Sequence, residues 1–265
     1  MTAALRPPCH SGAVDPLGSL VLVRHGESVG NARGLFSGML DVDLTPAGEE
    51  ACRVAGARLA GSGWTPDVVL TSELTRGWRT AELIMAALLS PAPIVRTWRL
   101  NERSYGALSG YSKAEVLEEH GPELFLHWRR SYEGRPPALD ERTLALWRGL
   151  SPFDRLPAEA LAATESLADV VARLRSWLPE LHAELRAGRD VLVVAHGNSL
   201  RALCALLDDL TPEELSALNL PNARPLRYDL VEGVDGLRPR VRGGRYLDPE
   251  AACVEALVIA HQGGT

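Results

Sequence analysis

No stretch of this sequence carries the roughly 18 consecutive apolar residues that a membrane-crossing helix needs. Its opening, MTAALRPPCHSGAVDPLG, mixes proline, glycine and alanine without a continuous apolar core, so neither a membrane anchor nor a signal peptide is expected. Residues 1–18 read as a flexible tail. Cysteine is scarce: Cys9, Cys52, Cys204 and Cys253 show no CxxC spacing, and the last three fall in apolar helical patterns, where a buried free thiol is expected. A reducing cytoplasm fits that usage. Positive charge is not in excess either, and a net charge of -6 argues against a nucleic-acid binder that works through a broad basic surface. Internal repeats and low-complexity tracts are missing, as is the GxxxxGK[ST] loop of P-loop nucleotide enzymes.

What is present is an alternation of strand and helix signals, which predicts an α/β fold of three layers, a mostly parallel sheet with helices on both faces. SLVLVR, DVVLTS, IVRTWRL and DVLVVAHG read as strands. Thr45 and Pro46 start one helix that stops near Gly61, and Leu74–Leu89 reads as the next. Ser112 and Glu115 have capping-box spacing for a short helix ended by Gly121, with another carrying HWRR. A long helix is expected from about Glu165 to Arg186, kinked or divided at Pro179, and further helices start at Asn198 and Thr211. Residues 19–265 form one domain on this reading, with a lid, interface or small subdomain at about 134–163, where the pattern is weak and proline-rich.

Two of the strands, LVLVRHG and LVVAHGN, end alike, each releasing a histidine-glycine pair at its carboxyl end. Ligands of open parallel sheets sit at that edge, so neighbouring strands would bring His25 and His196 to one crevice. Arg24 and Arg76 end up at strand ends by the same reasoning, and the guanidinium fork matches a phosphate. A lone arginine or histidine is usually solvated or structural; two of each at the strand ends of an acidic chain point to a phosphate pocket.

The stretches RHGESVGN, SGMLDVDLT, TSELTRGWRT, LNERSYGALSG, HWRR and AHGNSLRAL resemble the histidine phosphatase superfamily, and within it the cofactor-dependent phosphoglycerate mutases. The similarity runs from about Ser19 to Gln262. It implies a phosphoglycerate mutase-like fold in which His25 is the nucleophile that becomes a phosphohistidine, with Arg24, Arg76 and His196 holding the phosphoryl oxygens and Glu102 as general acid and base. Such a nucleophile must be neutral, one ring nitrogen keeping its proton in a fixed hydrogen bond while the other attacks. Asn31, Ser37, Gly38 and Asn198 are implied as further ligand contacts, and Tyr105, Lys113, Arg129 and Arg130 as the grip on the non-reacting end of the substrate.

The expected reaction is the interconversion of 3-phosphoglycerate and 2-phosphoglycerate, primed by 2,3-bisphosphoglycerate, with no metal. The partner is a small phosphorylated molecule rather than nucleic acid or membrane, and homo-oligomerisation stays open. A phosphatase of the same superfamily and a noncatalytic phospholigand-binding protein are the alternatives. Retention of Lys113, Arg129 and Arg130 counts against the first, and the presence of His25 and Glu102 against the second. The sequence departs from the family pattern at Met39, Ser104, Asn222 and Ala223, which leaves room for a shifted substrate range. His10, His120, His127, His182 and His261 receive no role, and Trp78, Trp128 and Trp177 read as core or interface.

Overall fold

The computed structural model describes residues 16–234 and 236–261; the expectations for residues 1–15, with Cys9 and His10, and for Gln262 lie outside them. In chain order the elements are β1 (Leu20–Arg24), α1 (Val29–Ala32), α2 (Pro46–Gly61), β2 (Val68–Thr71), α3 (Thr75–Leu88) and β3 (Ile94–Arg96). Then come α4 (Lys113–Arg130), α5 (Glu141–Arg148), α6 (Leu167–Arg186), β4 (Val191–Ala195), α7 (Gly197–Asp208) and α8 (Pro212–Ala217). The chain finishes with β5 (Leu226–Tyr228), β6 (Leu230–Gly233), β7 (Gly236–Pro239), β8 (Arg245–Tyr246) and α9 (Pro249–His261).

Six strands form the main sheet in the order β3-β2-β4-β1-β5-β8, with β6 and β7 as a separate hairpin. The first four are mutually parallel, while β5 and β8 join antiparallel. Successive strand side chains face opposite ways, so each apolar run serves two cores. Leu20, Leu22, Val191 and Val193 face α6 and α7, where Leu174, Trp177 and Leu203 pack. Val21, Val23, Leu192 and Val194 face α2 and α3, where Leu59, Ile84 and Met85 pack. This is the expected three-layer α/β/α arrangement.

Local signals behave as their chemistry dictates. The Thr45 hydroxyl accepts from the Gly48 amide to cap α2, and Ser112 and Glu115 close a reciprocal box at the start of α4. At Gly121, with φ 75°, α4 is interrupted, so the expected pair of helices is present as two arms of one element. Three expectations need correcting. Pro179 lies within α6 without dividing it, because Trp177, Leu181 and Leu185 on both sides of it are buried in the same core. The strand expected over IVRTWRL covers only Ile94–Arg96, and Trp98–Leu100 forms a 3-10 turn begun by the Thr97 hydroxyl. Cys52 and Cys204 are buried and free, whereas Cys253 is exposed on α9.

The weakly patterned segment 134–163 holds α5 and two short 3-10 turns. Phe153 and Leu161 pack it against Met39 and Leu74, beside the sheet edge where β1, β2 and β4 end.

Candidate active site

β1 and β4 are neighbours in a register that pairs Arg24 with Ala195, so the next residue of each strand is a histidine at the same edge. The His25 amide donates to the Ala195 carbonyl at 2.9 Å, and the two imidazole centroids stand 5.0 Å apart. His25 Nδ1 lies 2.7 Å from the Gly26 carbonyl. Only a protonated nitrogen can donate there, which leaves the lone pair on Nε2. Burial, then the charges of Arg76 and Arg24, hold the His25 pKa well below the usual imidazole range. His196 is lowered likewise, by burial first and then by Arg76, His25 and Arg24. Both rings are therefore neutral near pH 7.

His196 Nε2 lies 2.7 Å from the Ser72 hydroxyl, at the end of β2. The first turn of α3 comes so close to this bond that a Cβ on Gly77 would stand 2.3 Å from the Ser72 oxygen. Arg76, one residue earlier, spans from α3 to the loop after α1, donating to the Gly38 and Leu40 carbonyls at 2.7 Å each. Arg24 donates to the Leu220 carbonyl at 2.9 Å. Burial lowers both guanidinium pKa values to about 10, so both stay charged at neutral pH.

Glu102 sits in a buried irregular segment between the Trp98–Leu100 turn and Tyr105. Its carboxylate accepts from the Arg103 amide at 2.7 Å and from the Asn198 amide, at the start of α7, at 3.2 Å. The Asn198 side chain donates to the Tyr105 hydroxyl at 3.1 Å and accepts from Arg201 at 3.0 Å. Arg201 is fully buried and is tied to the Leu215 carbonyl as well.

Of the expected site residues, Arg24, His25, Asn31, Ser37, Gly38, Arg76, Glu102, Tyr105, Lys113 and Asn198 line one polar hollow. His196 lies beneath it with no exposed surface. Arg129 and Arg130 are not on its wall, although the Arg129 charge acts on Lys113 and the Arg24 charge on Arg129. Lys113 is half-buried, and burial together with Arg129 and Arg24 brings its pKa down to about 7. The Ser37 hydroxyl, Arg24 Nε and His196 Nδ1 are buried without a hydrogen-bond partner among the described residues. Buried polar atoms in this state are what a bound oxyanion satisfies.

The sequence reading missed Ser72, Arg201 and the support of the histidine backbone by Asn222, whose amide donates to the His25 carbonyl at 2.6 Å. Ser72 was open to the strand-end argument that found His25 and His196, since it follows β2 at the same edge. Arg201 carried only its spacing of three from Asn198 along a helix.

A profile of the histidine phosphatase superfamily (branch 1) matches residues 20–153 and 145–233. A 2,3-bisphosphoglycerate-dependent phosphoglycerate mutase of Thermobifida fusca is 49% identical over 93% of this chain and 100% of its own length. One from Mycobacterium tuberculosis is 47% identical over 93% of this chain and 98% of its own. Among solved structures, a mycobacterial glucosyl-3-phosphoglycerate phosphatase with VO3 superposes with a TM-score of 0.63 at 26% identity, covering 86% of this chain and 100% of that one.

Proposed function

Because this chain belongs to the histidine phosphatase superfamily (branch 1), we propose that its hollow is the active site of a 2,3-bisphosphoglycerate-dependent phosphoglycerate mutase, with His25 the phosphoryl carrier. The observation that carries this reading is the pair of neutral imidazoles between two buried guanidinium groups, one imidazole with its attacking nitrogen freed by the Gly26 carbonyl. The unpartnered Ser37, Arg24 and His196 atoms fit a phosphoryl group, and the Lys113 side of the hollow fits a second anionic end. When bound, 2,3-bisphosphoglycerate supplies the phosphoryl group that charges His25.

From there the chemistry balances on this chain's own residues. The 2-hydroxyl of 3-phosphoglycerate attacks the phosphorus on His25; the P–N bond breaks, a P–O bond forms, and Glu102 takes the hydroxyl proton. His25 Nε2 then attacks the 3-phosphoryl group. Its P–O bond breaks, and Glu102 returns the proton to the departing oxygen, leaving 2-phosphoglycerate and a recharged histidine. The cations Arg24 and Arg76, with the neutral ring of His196, hold the equatorial oxygens through each transfer, the role in which preorganised charges and donors contribute most. Tyr105 and Lys113 hold the other end, with Arg129 and Arg130 behind them adding positive charge. Two buried free thiols, Cys52 and Cys204, support a cytoplasmic setting.

Incubation with 3-phosphoglycerate, with and without catalytic 2,3-bisphosphoglycerate, separates the readings. Formation of 2-phosphoglycerate that depends on the primer and releases little inorganic phosphate is expected. Phosphate release without isomerisation would make the chain a phosphatase like its structural neighbour. His25→Ala is expected to abolish the acid-labile phosphoenzyme, and a labelled adduct that survives the substitution would overturn the assignment.

A further inference from the structure

Glu102 lies in a segment that is buried but has no regular structure, and such backbone must find partners outside any helix or sheet ladder. One side chain provides several of them. Arg173, in the middle of α6, donates Nη1 to the carbonyls of Trp98, Arg99 and Asn101 at 3.2, 2.9 and 3.0 Å, and Nη2 reaches the Glu102 carbonyl at 3.5 Å. The same guanidinium pairs with Glu165 at 3.1 Å, both side chains only 8% exposed. Glu165 grips the other end of the segment. Its carboxylate accepts from the Ser104 amide at 2.8 Å, and its backbone amide donates to the Ser104 carbonyl at 3.0 Å. Neither residue lines the hollow.

We infer that the Arg173–Glu165 pair is a positioning device for the acid-base step: it clamps the backbone on both sides of Glu102 and so sets where that carboxylate meets the substrate oxygen. The inference rests on the role given to Glu102 under the proposed function. A buried ion pair is weak evidence for stability by itself, since desolvation offsets much of its attraction. This one also satisfies up to four backbone carbonyls and one backbone amide, all within four residues of Glu102. Arginine suits the task because one planar fork reaches several acceptors, which an ammonium cannot do.

The test is a cycle of Arg173→Lys and Glu102→Gln, read as kcat/KM for 3-phosphoglycerate, with phosphoenzyme formation from p-nitrophenyl phosphate as a second readout. That ester has a leaving group that departs without a proton, so it bypasses the general acid. Glu102→Gln alone is expected to lower kcat/KM by about 10² or more. If it does not, the role of Glu102 fails and the inference goes with it. Given that loss, Arg173→Lys in the parent enzyme is expected to cost about tenfold or more, since small displacements of a catalytic group are costly. In the Glu102→Gln background it should cost less than about twofold, the mark of two residues acting as one unit. Phosphoenzyme formation from p-nitrophenyl phosphate should stay within about threefold of the parent in Arg173→Lys, a span well inside one factor of ten in barrier terms. Equal losses in both backgrounds, or an equal loss with both substrates, would reduce Arg173 to a structural residue and overturn the inference. Should Arg173→Lys fail to fold, Glu165→Gln is carried through the same cycle with the same outcomes deciding.

Discussion

Lys113 is the one lysine among 28 basic side chains, and it stands on the wall of the hollow. Burial and the charges of Arg129 and Arg24 lower its pKa to about 7, so its ammonium is present below that pH and is lost above it. A neutral amine holds the anionic end of a substrate poorly, and kcat/KM reports groups of the free enzyme. Raising the pH beyond 7 should therefore reduce kcat/KM for 3-phosphoglycerate, by up to about tenfold per unit. Lys113→Arg, charged throughout, should flatten that limb, and profiles of the two proteins that coincide between about pH 6 and 9 would contradict the assignment. The departures from the family pattern have visible local effects at this scale. Ala223 adopts φ 51°, a conformation glycine takes at less cost, while Asn222 before it supports the His25 carbonyl. Met39 is buried against Phe153 and Leu161 and does not line the hollow.

At the scale of elements, α4 carries Lys113 on its first arm and Arg129 and Arg130 on its last turn, with Gly121 between them. The relative direction of the two arms depends on a backbone conformation with φ 75° that a side chain resists. Nothing lies within 4 Å of a Cβ built there, so Gly121→Ala introduces no clash and tests conformation alone. It should destabilise the protein by about 1–2 kcal/mol in urea unfolding, the left-handed penalty for a residue with Cβ. It should also raise KM more than it lowers kcat, because it shifts the arm with Lys113 against the arm with Arg129, both proposed above to act on the substrate's other end, and leaves His25 in place. An unchanged unfolding midpoint would show that the interruption is not enforced by this glycine. The two arms were legible because a capping box and a glycine act within a few residues. The continuity of α6 through Pro179 was not, since the burial that outweighs a lost hydrogen bond comes from other elements.

Across the whole molecule, folding takes two histidines out of water as neutral rings, and this couples stability to pH. The folded pKa values of His25 and His196 lie well below the unfolded imidazole value near 6.5. Below about pH 6.5 the unfolded chain therefore binds protons that the folded chain refuses, and stability falls as pH falls, by up to about 1.4 kcal/mol per unit for each ring. Urea midpoints at about pH 7.5 and 5.5 measure this; His25→Asn should remove part of the slope, and an equal slope in both proteins would refute the coupling. The sequence by itself determined the layered α/β class, the strand ends and the chemistry of the groups placed on them, because alternation, caps and strand-terminal histidines are written in short windows. Only the tertiary structure decided which strand lies beside which. That put the rings 5.0 Å apart, set Ser72 against His196, and laid Arg173 across the segment that bears Glu102, more than 70 residues away along the chain. Contacts of that separation depend on how helices settle on a sheet, and no local pattern encodes them.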